Sequence, residues 1–120
     1  MLTIPVSEVA GLCYGEGWRD KNLITIVAIA GAESGFSTDF TDTEKFGLFG
    51  LKAHNLSIEP EKLFDPLFST KIARELYEDR YFNPWICWAM RKHLKYVRQS
   101  IDGVGDFFYE TMYGGDRIAV

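Results

Sequence analysis

Cysteine, excess positive charge and long apolar runs are all scarce in this 120-residue chain. Cys13 and Cys87 are too few for a disulfide framework, and with no CxxC or Cys/His spacing they suggest no zinc site. They read as small buried thiols, unlinked. Thirteen Lys and Arg against 17 Asp and Glu leave a net charge of −4, so the dense basic face that displaces counterions from phosphates is lacking and nucleic acid is not an expected partner. The longest apolar stretch, Leu23 to Ala32, includes Thr25 and is about half of the roughly 20 residues a bilayer crossing requires, so no membrane insertion is expected. Met1 to Glu8 has neither a basic segment nor a signal-type apolar core, and any export is expected to use another device than the usual secretory route. What is present is enough apolar sequence, 47%, to bury one core. Domains commonly run to roughly 100–150 residues, so residues 1–120 are read as a single domain.

Helix signals follow one another closely, without a low-complexity linker or repeat. Ser7 is placed to cap a first helix carrying Val9, Ala10, Leu12 and Cys13, with Gly15 and Gly17 marking its end. A second helix is expected from Asp20 or Lys21 toward Glu33, apolar on nearly every side and therefore central. From Gly35 to Gly50 the chain turns to Thr, Asp, Ser and Gly with scattered Phe, which predicts loops and a short hairpin around Lys45 to Phe49. Asp65-Pro66 predicts a helix start, followed by Leu67, Phe68, Ile72, Leu76 and Tyr77 at helical spacing. Asn83-Pro84 repeats the device, and Ile86, Met90, Leu94, Val97 and Ile101 predict a core-facing stripe on a helix of about four turns. Asp102 to Val120, with four Gly and clustered aromatics, carries no assignment. The whole predicts an all-α class, mainly α with a short hairpin segment.

Glu33 is the most informative residue. It ends a nearly all-apolar helix, where desolvation and the negative end of the helix dipole both disfavour a charged carboxylate, and such a group is suited to act as a general acid. The alternative is a solvated Glu in a last helical turn.

Four ordered pieces then stand together: Ile26-Val27-Ala28-Ile29-Ala30-Gly31-Ala32-Glu33-Ser34-Gly35-Phe36, Phe46-Gly47-Leu48-Phe49-Gly50-Leu51, Leu63-Phe64-Asp65-Pro66 with Ile72-Ala73, and Phe82-Asn83-Pro84-Trp85. In this order and spacing the stretch from Ser7 to Trp88 resembles the lysozyme-like superfamily, and within it the transglycosylase SLT-type domains of bacterial and phage cell-wall enzymes. The resemblance implies a lysozyme-like fold, with Glu33 protonating the glycosidic oxygen between N-acetylmuramic acid and N-acetylglucosamine. It implies substrate contacts at Ser34, Phe49, Gly50, Trp85 and Trp88, and no cofactor or metal. Trp85 and Trp88 also lie i, i+3 on one helical face, where sugar stacking competes with burial.

Hydrolysis would call for a second carboxylate about 5–5.5 Å or about 6.5–9.5 Å from the first. Family lytic transglycosylases manage with one Glu, which then acts as base while the C6 hydroxyl of muramic acid closes a 1,6-anhydro ring. Where animal-type lysozymes hold their second acid, this chain has Lys45. Glu44 is adjacent, and in an extended segment it points away from Lys45; Asp39 and Asp42 are the other candidate second acids. Gly50 stands where most relatives have a groove-lining Gln. Arg91, Lys92, His93, Lys95 and Arg98 read as a solvated face that could also touch anionic peptidoglycan or a partner subunit.

The expected function is therefore cleavage of peptidoglycan glycan strands by a lytic transglycosylase. Two alternatives stay open: a hydrolytic muramidase, and a non-catalytic peptidoglycan-binding or structural phage module with a degenerate site. The expected place of action is the bacterial cell wall, from a virion or after release from the host cytoplasm, with other phage virion proteins as further candidate partners.

Overall fold

In a computed structural model that describes residues 2–114, the chain is mainly helical, with one small antiparallel sheet. Helix α1, Val6–Gly15, starts from Pro5, whose φ of −58° suits a helix entry, and no side chain caps it. Ser7 lies inside the first turn, so its expected capping role is corrected. Helix α2, Asp20–Ser34, runs as the apolar sequence requires, with Leu23, Ile26, Val27, Ile29 and Ala30 almost wholly buried. It stops at Gly35, which takes φ +62° and returns its N–H to Gly31 O, as a left-handed cap demands.

Three two-residue strands follow: β1 (Thr41–Asp42), β2 (Lys45–Phe46) and β3 (Leu51–Lys52), in the order β1-β2-β3. The expected hairpin is thus present as two, with Asp42 opposite Lys45 and Lys45 opposite Lys52. Helix α3 (Ala53–Leu56) and a 3-10 turn (Pro60–Phe64) lead to α4, Pro66–Arg80. There Asp65 accepts from the Leu67 N–H at 3.0 Å, the cap its sequence predicts.

The stretch after Asn83-Pro84 differs from expectation. Trp85 and Phe82 are buried, so the chain holds a series of tight turns there and α5 spans only Ile86–Ala89. Arg91 takes a left-handed φ of +60°, a 3-10 turn covers Lys92–Tyr96, and α6 runs Val97–Tyr113. One continuous helix is therefore replaced by three pieces. The expected core stripe faces outward instead, with Ile86 56%, Met90 59%, Leu94 45% and Ile101 48% exposed. Cys87, His93, Ser100 and Val104 take the buried places, and Ser100 donates to Ile24 O.

Helix α1 packs chiefly on α6, where Gly103 makes room for Val6 and Gly11 for the Phe107 ring. Part of the unassigned tail is thus helix α6; residues 115–120 lie outside the described residues. No helix among the described residues is long and apolar enough to cross a membrane.

Candidate active site

Glu33 sits on the last turn of α2, and its side chain is only 6% exposed. Three neighbours surround the carboxyl. Lys45 Nζ from β2 approaches Oε1 at 3.5 Å. The Cys87 thiol, from α5, hydrogen-bonds to the carboxyl; burial first, then the Glu33 charge and that hydrogen bond, push the thiol up to about 12. Opposite both lies Gly50, in the turn between β2 and β3, at φ +57°. A Cβ at Gly50 would stand 2.5 Å from Glu33 Oε1, so only glycine leaves space for the acid.

The carboxyl forms part of the walls of two adjoining hollows. One, of about 270 Å³, is bounded by Gly50, Lys52, Asn55, Arg80, Asn83 and Trp85. The other, of about 290 Å³, is bounded by Phe40, Asp42, Cys87, Met90 and Lys92. Both share Glu33, Lys45 and Ile86. The acid therefore stands midway along a groove between the helices and the sheet.

Two of the expected substrate contacts lie behind the groove wall. Ser34 is 5% exposed, with its hydroxyl 2.7 Å from Leu48 O and 3.0 Å from Ala30 O, and it accepts the Ser37 N–H. It fastens the end of α2 to the β2–β3 turn. Phe49 is fully buried, and its carbonyl accepts the Trp85 indole N–H at 3.1 Å. That bond spends Trp85's polar handle inside the protein, and the residue, 2% exposed, contributes only to the wall of the groove. Trp88 is half-buried against Tyr81 and Phe82, away from the hollows beside Glu33. Gly50 does line the groove, as a cleared space rather than a ligand.

The three candidate second acids part company. Asp39 turns to the N-terminal segment, accepting from Leu2 N at 2.8 Å and Ser37 Oγ at 2.7 Å, and these bonds hold its carboxyl below the usual range. Glu44 reaches Lys52 at 3.8 Å across the sheet and lines neither hollow. Asp42 alone shares a hollow with Glu33, and Lys45 stands opposite it in the β1–β2 register.

Sequence reasoning did not single out Lys52, Asn55 or Arg80. They reach the groove from α4 and the segment after β2, and no spacing relates them to Glu33. Of the two histidines, His54 is exposed and His93 is buried, so surface and core filling account for them. Among the described residues no cluster of His, Cys, Asp and Glu is placed to hold a metal ion. No family model, curated protein or solved structure matches this chain.

Proposed function

We propose that the groove binds a glycan strand of peptidoglycan and that Glu33 cleaves it, in a lysozyme-like arrangement, as a lytic transglycosylase. The observation that carries this reading is a single carboxyl, 6% exposed, midway along an open groove and faced by a glycine that leaves it room. A buried carboxyl in the wall of two adjoining hollows is suited to act as an acid catalyst for glycosidic cleavage.

In the proposed reaction Glu33 gives its proton to the glycosidic oxygen as the C1–O bond breaks and charge builds at C1. The Glu33 carboxylate then takes the proton of the C6 hydroxyl while O6 bonds to C1. No proton is gained or lost overall, and the product ends in 1,6-anhydromuramic acid. An attached nucleophile has a high effective concentration, which favours this route where a cation, Lys45, occupies the ground beside the acid. The Lys45 contact is loose and one-third exposed, so an incoming strand can compete for that ammonium. On this reading the partners are peptidoglycan strands, with phage virion proteins as carriers to the wall.

Two results decide among the readings. Purified cell walls treated with the protein should lose turbidity and release fragments one water lighter than hydrolytic ones, and Glu33→Gln should abolish both while leaving the fold intact. Reducing muramic ends would turn the assignment to a muramidase with Asp42 as the second acid. A protein that pelleted with walls and released nothing would be the binding module that the Lys45–Glu33 pair also suits. Undiminished clearing by Glu33→Gln would remove Glu33 from the mechanism.

A further inference from the structure

The groove continues past Lys92. A third hollow, of about 340 Å³, shares Ala32 and Lys92 with the second and is completed by Arg91, Lys95 and Tyr96, with no acid in its wall. Its form follows from the backbone. Arg91 adopts φ +60°, a conformation that costs an ordinary side chain free energy, and so starts the 3-10 turn Lys92–Tyr96 in a new direction. In a 3-10 helix residues i and i+3 eclipse, which stacks Lys92 over Lys95 on one exposed face while His93 turns inward. Tyr96 is locked in place. A Cβ at Gly31 would stand 2.6 Å from its ring, Phe36 meets it edge-on at 6.0 Å, and Lys95 Nζ lies 5.4 Å from its centroid.

Arg91, Lys92 and Lys95 form no ion pair with any described residue. Stacked like charges repel, and neighbouring acids would relieve them at no structural cost. Over the three hollows, six of the chain's 13 Lys and Arg line the groove against two of its 17 acids, Glu33 and Asp42. An acidic protein has thus concentrated its cations along one track, with the unpaired ones at one end. Such a distribution focuses field on a negatively charged ligand.

We propose that the Arg91–Lys92–Lys95 hollow is an anion subsite that holds an acidic substituent of the glycan strand, namely the free carboxylates of its peptide stems. The proposal rests on the glycan-cleavage reading for the identity of the strand. The subsite selects strands by charge: stem-bearing glycan binds in preference to bare glycan, and amidation of the stem carboxylates cancels the preference.

Calorimetry tests this with Glu33→Gln protein, so that nothing is consumed, and with the wild type on ice as a control for the substitution. The probes are muramic-acid-containing tetrasaccharides that are bare, carry free-carboxylate stems, carry amidated stems, or carry a phosphodiester in place of a stem. Free-carboxylate stems should bind about tenfold tighter than the bare sugar, the sum of a few exposed charge pairs. The gap should shrink to about twofold in Lys92→Gln/Lys95→Gln, and it should narrow as salt rises toward about 1 M. Equal binding of bare and stem-bearing sugar overturns the proposal, as does a preference that survives the double substitution or the amidation. A preference for the phosphodiester over the stem overturns the stem as occupant. Because binding is read without turnover, a stem preference in a protein that cleaves nothing would retain the subsite and remove only the catalytic reading.

Discussion

Gly50 shows how much a single residue can decide. Its φ of +57° and the 2.5 Å that a Cβ would leave to Glu33 Oε1 are two separate demands on the same position. Gly50→Ala should cost about 1–2 kcal/mol from the left-handed backbone alone. It should also push the carboxyl off its place, so on the proposed reading cleavage should fall by more than the melting temperature implies. Thermal melts beside wall-clearing rates check this; a variant with wild-type rates would show that the carboxyl has room to spare. The same geometry excludes a Gln at 50, the residue that the sequence resemblance alone would expect there, since any side chain at 50 meets the acid first. The burial of the Glu33 side chain was legible in the sequence, because it ends a nearly all-apolar helix, and of the two readings that position allows the structure departs from the solvated one. Ser34 and Phe49 were not, because a motif fixes proximity to the site but not which way a side chain points, and both point into the protein.

At the scale of elements, the sequence was most readable where chemistry acts locally. The apolar run of α2 and the Asp65-Pro66 start of α4 needed no tertiary information. Asp65→Ala should accordingly cost about 1 kcal/mol, because the Leu67 N–H loses its acceptor, and a urea titration should show an earlier midpoint at unchanged slope. The stripe from Ile86 to Ile101 failed for the opposite reason. Spacing of four, four, three and four suits a helix, but Phe82 and Trp85 compete for the same core and win, with Trp85 tied to Phe49 O across 36 residues. With the core filled from that side, Arg91 breaks the helix and the apolar row faces outward. That break also starts the separate 3-10 turn that carries Lys92 and Lys95. Lys52 and Arg80 stayed invisible for a related reason: a groove assembled from distant segments leaves no periodic trace.

For the whole molecule, the two thiols act as a gauge of the intact core. Burial, and after it the charge of Glu16, raises Cys13, and Cys87 is raised to about 12, against about 9 for an open chain. A raised pKa means the folded state keeps protons that the unfolded chain gives up. Both groups therefore contribute fully below about pH 9, and the contribution is lost as pH climbs toward 12. Melting temperatures should hold up to about pH 8 and fall beyond about pH 9, and Cys13→Ala should flatten the decline. A decline parallel to the wild type would show that Cys13 does not couple to folding. The fully buried Cys13 should also resist alkylation in the native protein, and both thiols should react once it is unfolded.

The packing of α1 against α6 has a consequence in time. On a ribosome α1 emerges well before α6, and Val6 and Gly11 wait for Gly103 and Phe107, their partners on that later helix. Until α6 has been made, the apolar side of α1 has nothing to close on, and Ser100 has not yet reached Ile24 to brace the helix that carries Glu33. Contacts of such long sequence separation form slowly and late. The nascent chain would thus lack a finished groove until α6 has left the ribosome, and on the proposed reading the site would become competent only then.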